Sequence, residues 1–281
     1  VNLAHYLPKT EERIERLRQI IKGRPVAIIL QGFSARELEE RIAELQDCDI
    51  CYSSLNSFGV IEKYILQKIG HNCSIVMVSG PVGIDVEIEN VINFLERPED
   101  NMFISTRICF DLTGHHKMPM PHWFNAEEFI AKYNKRLLFN DLVFPVFHHL
   151  AGAFFEQFPS EEFPLHFVAQ NSLSYFLAMV LIGKPSRVII FGADGGRISP
   201  DGLYFKETEL RSYRHDLGGD IEGGLMADTM TFNQRMVPML WKIYRIFGLE
   251  PVEIINCSER SHYTPFKKLS YDETFSLLKG E

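Results

Sequence analysis

Long hydrophobic runs are missing from this chain. The longest candidate, FLAMVLIG at residues 176–183, falls well short of the ~18 apolar residues a membrane-spanning helix needs. The opening stretch VNLAHYLPKTEERIERL lacks the basic-then-apolar pattern of a signal peptide. The expectation is a cytoplasmic protein with no transmembrane segment. Cysteine is sparse, with five residues (Cys48, Cys51, Cys73, Cys109 and Cys257), an odd and scattered set that argues against a disulfide framework and fits a reducing compartment. Cys48 and Cys51 have CxxC spacing, but DCDICYSS reads as the start of a strand, with no second pair to complete a zinc set. Buried, reduced thiols are the simpler reading. Positive charge is not in excess. There are 29 Lys and Arg against 37 Asp and Glu, a net charge of −8, which argues against a broad nucleic-acid footprint and leaves room for a local basic pocket. GxGxxG, GxxxxGK[ST] and HExxH are all absent. The His115–His116 and His148–His149 pairs have no ligand spacing of their own, so no dedicated zinc site is expected.

What is present reads as α/β. With 281 residues, 46% hydrophobic and 23% charged, the chain can bury a sizeable core. EERIERLRQIIKG (11–23) has helical spacing and a glycine stop, and PVAIILQ is the continuous apolar run of a strand covered on both faces. Ser34 and Glu37 then form a capping-box pattern at the start of a helix. DICYSS (49–54) and GVIEKYILQKIG repeat the unit, as do CSIVMVSG (73–80) and DVEIENVINFLER (85–97), and NMFISTRICFDL (101–112) holds a fourth strand. TGHHKMPMPHWF and EQFPSEEFPLHF lack periodicity and read as loops over the sheet. Order returns with the helix NSLSYFLAMVLIG (171–183) and the strand RVIIFGAD (187–194). TMTFNQRMVPMLWKIYRIFG (229–248) is a helix that Pro238 kinks or delays. VEIINCS (252–258) is the final strand and SYDETFSLLK (270–279) the closing helix. The predicted fold is one domain over 1–281, an open, mostly parallel Rossmann-like sheet with helices on both faces. The long polar stretch 195–224 is its inserted lid.

Ligands of such sheets gather beyond the carboxyl ends of the strands. The candidate corners are QGFS (31–34), SSLNS (53–57), SGPVG (79–83), FGADGG (191–196) and NCSERSH (256–262). Gly32 allows close backbone approach, and the helix after Ser34 offers N–H groups that suit a phosphate. Asn56 and Ser57 are placed to bond a base or ribose, or to cap a helix. Asp194, at a strand end before two glycines, suits a metal, a sugar hydroxyl or a base role, or else caps a turn. Gly80 and Gly192, in the SGPVG and FGADGG corners, are further candidate nucleotide-binding residues. In the lid, Tyr204, Lys206, Arg211, Tyr213, Arg214, His215 and Asp216 suggest closure over an anionic ligand. Of the loop histidines, His215 and His262 among them, one is a candidate base, and the sequence does not choose.

The order of these corners resembles a known group. IILQGFSARELEERI resembles the GxGPSL-type opening of bacterial sialyltransferases and the related motility-associated glycosyltransferases. NSLSYFLAMVLIGKPSRVIIFGADGG resembles their helix–strand unit ending in G-x-D, and the segment 231–273 their C-terminal helix, strand and N-x-S…F element. Archaeal 6-hydroxymethyl-dihydropterin pyrophosphokinases share the general pattern. The likeness covers roughly residues 25–80 and 168–275. It implies Gly32, Ser34 and Asn56 near a nucleotide, Asp194 on the site floor, and Ser258 and Ser261 approaching from the last strand. Phe33 stands where the motif has proline, and GLMADTMTFN lacks the base histidine of the sialyltransferases, so the resemblance leaves the general base unassigned.

Three functions follow as expectations. The first is a transferase using a nucleotide-activated donor, a CMP-sugar, to glycosylate a surface-carbohydrate acceptor. In it Asp194 orients acceptor or metal, and Tyr204, Tyr213 or His215 handles protons. The second is a magnesium-dependent pyrophosphokinase using ATP on a pterin-like alcohol, with Asp194, Asp216 and Asp220 as metal ligands. The third is a non-catalytic nucleotide-binding member. Small-molecule donor and acceptor are the expected partners, with no nucleic acid and a possible homo-oligomer.

Overall fold

The segment PVAII has no polar side chain to present to water, so it forms a strand only where both faces are covered. Strand β1 (Pro25–Ile29) meets that condition near the middle of the sheet. Val26 and Ile28 enter one apolar layer, and Ala27 and Ile29 enter the other. In the computed structural model the described residues are 10–46, 48–56, 65, 68–69, 73–78, 88–98, 100–106, 121–143, 151–168, 171–195 and 221–280.

Among the described residues, eight further strands join β1. They are β2 (Cys51–Leu55), β3 (Ile75–Val78), β4 (Met102–Thr106), β5 (Leu137–Val143), β6 (His166–Val168), β7 (Arg187–Phe191), β8 (Glu253–Asn256) and β9 (Lys267–Lys268). All pairings are parallel, in the order β6-β5-β4-β3-β2-β1-β7-β8-β9. The chain therefore winds outward from β1 to β6, returns to the other side of β1, and winds outward again. The switch point lies between β1 and β7.

Right-handed crossovers fix which face each helix covers once the winding reverses. Helices α2 (Ala35–Glu40), α3 (Ile88–Leu95), α4 (Ala126–Tyr133) and, near the C-terminus, α8 (Tyr271–Lys279) pack on one face. Helices α1 (Thr10–Ile21), α6 (Ser172–Ile182) and α7 (Ile221–Phe247) pack on the other. The short α5 (Ala151–Gln157) lies beside β6. Helix α6 carries the return crossover, touching α1, α7 and β2, which explains its sequence. SLSYFLAMVLI is apolar almost all round, and every residue after Ser172 is buried. The Asn171 side chain caps it, accepting from the Ser174 N–H at 3.1 Å. The buried serines of β2 are satisfied across the sheet, where Ser53 donates to the Ala27 carbonyl at 2.9 Å and Ser54 to that of Ile29.

The middle third departs from the sequence reading. The stretch EQFPSEEFPLHF is not wholly loop, since it contains the end of α5 and the start of the edge strand β6. With three residues, β6 is too short to show alternation. Strand β9, two lysines long, gives no sequence signal either. Helix α7 starts at Ile221, so the last residues of the 195–224 stretch are helical and Pro238 lies inside a continuous helix instead of delaying it. Pro238 and Gln234, whose carbonyl loses its usual donor, are both exposed, so water can satisfy the freed carbonyl. The expected helix GVIEKYILQKIG lies largely outside the described residues. Among the described residues, no helix is long and apolar enough to cross a membrane.

Candidate functional site

Beyond their paired residues, β1 and β7 stay in contact for a few residues before parting. The Leu30 N–H donates to the Phe191 carbonyl at 2.9 Å and the Gly32 N–H to the Gly192 carbonyl at 3.0 Å. The two backbones are so close that a Cβ on Gly32 would stand 2.2 Å from the Gly192 oxygen and 2.7 Å from Asp194 Oδ2. Gly192 has φ +71, and a Cβ there would meet the Leu30 oxygen at 2.3 Å. Glycine at both positions is required by the strand crossing itself.

Asp194 is the centre of this corner and only 4% exposed. The Ser34 N–H donates to its Oδ2 at 2.9 Å, and the Ser34 hydroxyl donates to its Oδ1. The Ser258 hydroxyl reaches the same Oδ1 at 2.8 Å. The capping box expected between Ser34 and Glu37 is therefore not formed. Ser34 has helical angles, φ −62 and ψ −17, makes no side-chain cap bond, and turns its hydroxyl to Asp194. A carboxylate from the loop after β7 takes the role expected of Glu37.

The loop after β8 closes the same corner. Buried Asn256 donates to the Ala193 carbonyl at 3.2 Å and to Ser261 Oγ at 3.0 Å, and its Oδ1 accepts the Ser258 N–H at 3.2 Å. Ser261 Oγ donates to the Ala193 carbonyl, and the His262 N–H donates to the Asp194 carbonyl at 2.8 Å. Tyr271 on α8 donates its hydroxyl to the Ser34 carbonyl at 3.0 Å, and burial holds that phenol well above its ordinary pKa, so it remains a donor.

Ser258 and Ser261 lie at the predicted place, but each is 3% exposed with its hydroxyl committed to the protein. They act as braces between loops. Gly32, Ser34, Gly192 and Asp194 are brought together as expected. Asn56, at the carboxyl end of β2 beside β1, takes the left-handed φ of +54 that asparagine tolerates. Gly80, Tyr204, Tyr213 and His215 lie outside the described residues, as do Ser57, residues 196–220 and the two histidine pairs.

His262 is the residue the sequence named without selecting. Its Nδ1 lies 3.0 Å from the Gly195 carbonyl. A carbonyl only accepts, so Nδ1 carries the proton, and in the neutral ring Nε2 then holds the lone pair. The His262 main chain is fixed as well, its carbonyl accepting from Asn233 Nδ2 at 2.8 Å. Asn233 of α7 in turn takes the Thr264 N–H at 3.0 Å. Asn256 is the first residue of the N-x-S element but is not among the site residues that the resemblance implies, and Asn233 carries no motif that would mark it; their positions bordering the switch point give both their meaning.

Among the described residues no group of three His, Cys, Asp or Glu side chains is placed to hold a metal ion. Asp194 in this arrangement does not fit a magnesium ligand, because both oxygens accept protein hydrogen bonds in a buried corner. Asp216 and Asp220 lie outside the described residues. Compared with protein-family models, with curated proteins and with solved structures, the chain has no match in any of the three.

Proposed function

We propose that this protein is a transferase that binds a nucleotide-activated donor at the β1–β7 switch point, with a CMP-sugar as donor and a carbohydrate as acceptor. The observation that carries the reading is the position of the Gly32–Gly192–Asp194 corner. Among the described strands it stands where the winding reverses, between strands whose loops diverge, which is where open parallel sheets hold nucleotides.

In this reading Asp194 does no proton chemistry. It rigidifies the loops so that the Gly32 and Asn56 backbones present a fixed wall to the donor. Proton transfer falls to His262. The acceptor hydroxyl oxygen bonds to the anomeric carbon as the bond from that carbon to the nucleotide phosphate breaks, and the hydroxyl proton passes to Nε2. The imidazolium so formed keeps its Nδ1–H on the Gly195 carbonyl.

One observation favours a second reading, in which a nucleotide is bound without turnover. The hydroxyls of Ser34, Ser258 and Ser261 are all spent on the fold. Isothermal calorimetry with CMP, CDP, UDP and ATP, each with and without magnesium, tests the assignment. Metal-independent preference for CMP is expected, followed by transfer or slow hydrolysis of a CMP-sugar. Binding with neither reaction selects the second reading. Magnesium-dependent preference for ATP replaces both with a pyrophosphokinase, and binding of none reduces the Gly32 corner to a turn.

A further inference from the structure

Helix α7 carries two apolar stripes where the core uses one. Phe232, Met236, Leu240 and Ile243 are buried in the layer against the sheet. On the opposite side Ala227, Met230, Gln234, Val237 and Trp241 are exposed, at alternating spacings of 3 and 4 residues. That is the a and d spacing of a helix that pairs with another helix. Met230 is 59% exposed, Val237 42% and Trp241 61%. Apolar residues scattered singly over a surface need no explanation, but three large ones on one seam do. Trp241 is steadied by Tyr244, whose ring meets it edge-on at 5.9 Å, so the indole is a fixed anchor. The neighbouring charges are spent inside the chain. Arg235 lies over the Phe155 ring of α5, 5.1 Å from the centroid, and Lys242 donates to the Phe155 carbonyl at 2.7 Å.

We propose that this seam pairs with the α7 seam of a second copy of the chain, antiparallel about a two-fold axis. Such an interface must be complementary to itself, each copy receiving what the other presents. Ala227, Met230, Thr231 and Gln234 stand at i, i+3, i+4 and i+7, the four positions that form a hole for one knob of a facing helix. The floor of that hole is low. Ala227 is small, and Thr231 spends its hydroxyl on the Ala227 carbonyl at 3.1 Å, which leaves its methyl to the partner. Antiparallel pairing brings the partner's Trp241 into this hole, and does so at both ends of the seam. The same register sets the partner's Gln234 level with Pro238. Pro238 has no N–H for the Gln234 carbonyl, and the partner's Gln234 side chain supplies a donor in place of water. Each helix also lays its positive amino end beside the negative carboxyl end of the other. Ala227 and Met230 flank Thr229, which lies against Gly195, so the interface begins beside the candidate corner. Trp241 offers roughly 150 Å², and the seam as a whole about 400 Å² per copy, half the ~800 Å² of a standard interface. An interface of that size suits a weak, reversible dimer.

The test is sedimentation velocity of the full chain, from low micromolar to several hundred micromolar. A reversible monomer–dimer equilibrium is expected. Trp241→Lys removes the knob and Ala227→Glu fills the hole with a charge, and each should weaken dimerisation by about tenfold or more. Both positions are exposed, so the melting temperatures of the two variants at low concentration should match that of the parent. Mixed in equal amounts, the two variants should dimerise again. One end of the mixed pair keeps Trp241 over Ala227, and the other sets the introduced lysine beside the introduced glutamate. A parent that stays monomeric at every concentration overturns the proposal and leaves the seam to a different protein. A dimer that Trp241→Lys leaves intact overturns the assignment to α7. Mixed variants that stay monomeric overturn the antiparallel register.

Discussion

Ser34 and Asp194 are 160 residues apart in sequence and joined twice, by the Ser34 N–H to Oδ2 at 2.9 Å and by the Ser34 hydroxyl to Oδ1. The first turn of α2 is thus capped by a side chain from the loop after β7, and Ser258 adds a third donor from the loop after β8. Asp194→Asn keeps the shape but replaces one acceptor with an NH₂ donor, and either orientation leaves a donor of Ser34 or Ser258 without an acceptor. The expected cost is ~1–3 kcal/mol, read as a lower melting temperature. Ser34→Ala should cost less, and the double variant should lose less than the two single losses added together. An Asp194→Asn protein that melts like the parent would show that the carboxylate does not brace the two loops.

His262→Gln separates chemistry from architecture. The main-chain bonds of residue 262 to Asp194 and Asn233 do not depend on the ring, so the loop should keep its place. Removing the lone pair at Nε2 should lower the transfer rate by ~10²–10⁴-fold while leaving donor affinity near that of the parent. A parallel collapse of affinity would instead make the imidazole part of the donor wall. Unchanged turnover would remove it from the reaction.

The elements legible in the sequence are those whose pattern is local. Strand β1 declared itself through an unbroken apolar run and α1 through the spacing of Ile14, Leu17, Ile20 and Ile21, and α8 follows SYDETFSLLK, where the structure adds a true capping box between Ser270 and Glu273. That Gly32, Gly192 and Asp194 meet at one corner was legible because strand ends followed by glycine carry meaning in any parallel sheet. The same capping pattern misled at Ser34, because whether Glu37 or Asp194 takes the Ser34 N–H depends on a strand pairing that no local window contains. Strands β6 and β9 stayed hidden because three and two residues are too few for any period to appear. The burial of Arg13, whose Nε and Nη2 find no hydrogen-bond partner among the described residues, could not be read at all, since in the sequence Arg13 is one charge in an amphipathic helix.

Alkaline pH should loosen the core around β2 and β8. Burial pushes the Cys51 thiol up to about 11 and the Cys257 thiol up to about 12, from an ordinary value of 9.0. Each thiol is protonated in the fold while its unfolded counterpart ionises, so the unfolded state binds fewer protons and stability falls as pH rises. The contribution is complete below about pH 9 and is lost progressively toward pH 11–12. Buried tyrosines, Tyr52 and Tyr271 among them, push in the same direction. Melting temperatures measured from pH 8 upward should therefore decline, and the decline should be shallower in Cys257→Ala. An identical slope in parent and variant would assign the whole effect to the tyrosines and Cys51.

Gly32→Ala tests whether the switch point is as tight as it is drawn. The new methyl would lie 2.2 Å from the Gly192 carbonyl oxygen and 2.7 Å from Asp194 Oδ2, and neither neighbour is the far end of a flexible chain. The Gly192 carbonyl is held by the Gly32 N–H, and the Asp194 carboxylate by three hydrogen bonds, so β1 and β7 must separate at their carboxyl ends to admit the methyl. Overpacking of this kind costs ~1–3 kcal/mol, and the broken bonds to Asp194 add to it. The melting temperature should fall, and nucleotide binding should fall further than stability alone accounts for, since the wall facing the donor is the part displaced. Gly23→Ala is the control. Gly23 has φ +76 with nothing within 4 Å of its Cβ position, so it carries backbone strain without a clash and lies at the opposite, amino end of β1. If both substitutions lower stability equally and neither touches nucleotide binding, Gly32 is a turn residue and no more. If only Gly32→Ala abolishes binding, QGFS is where the donor's phosphate meets the backbone.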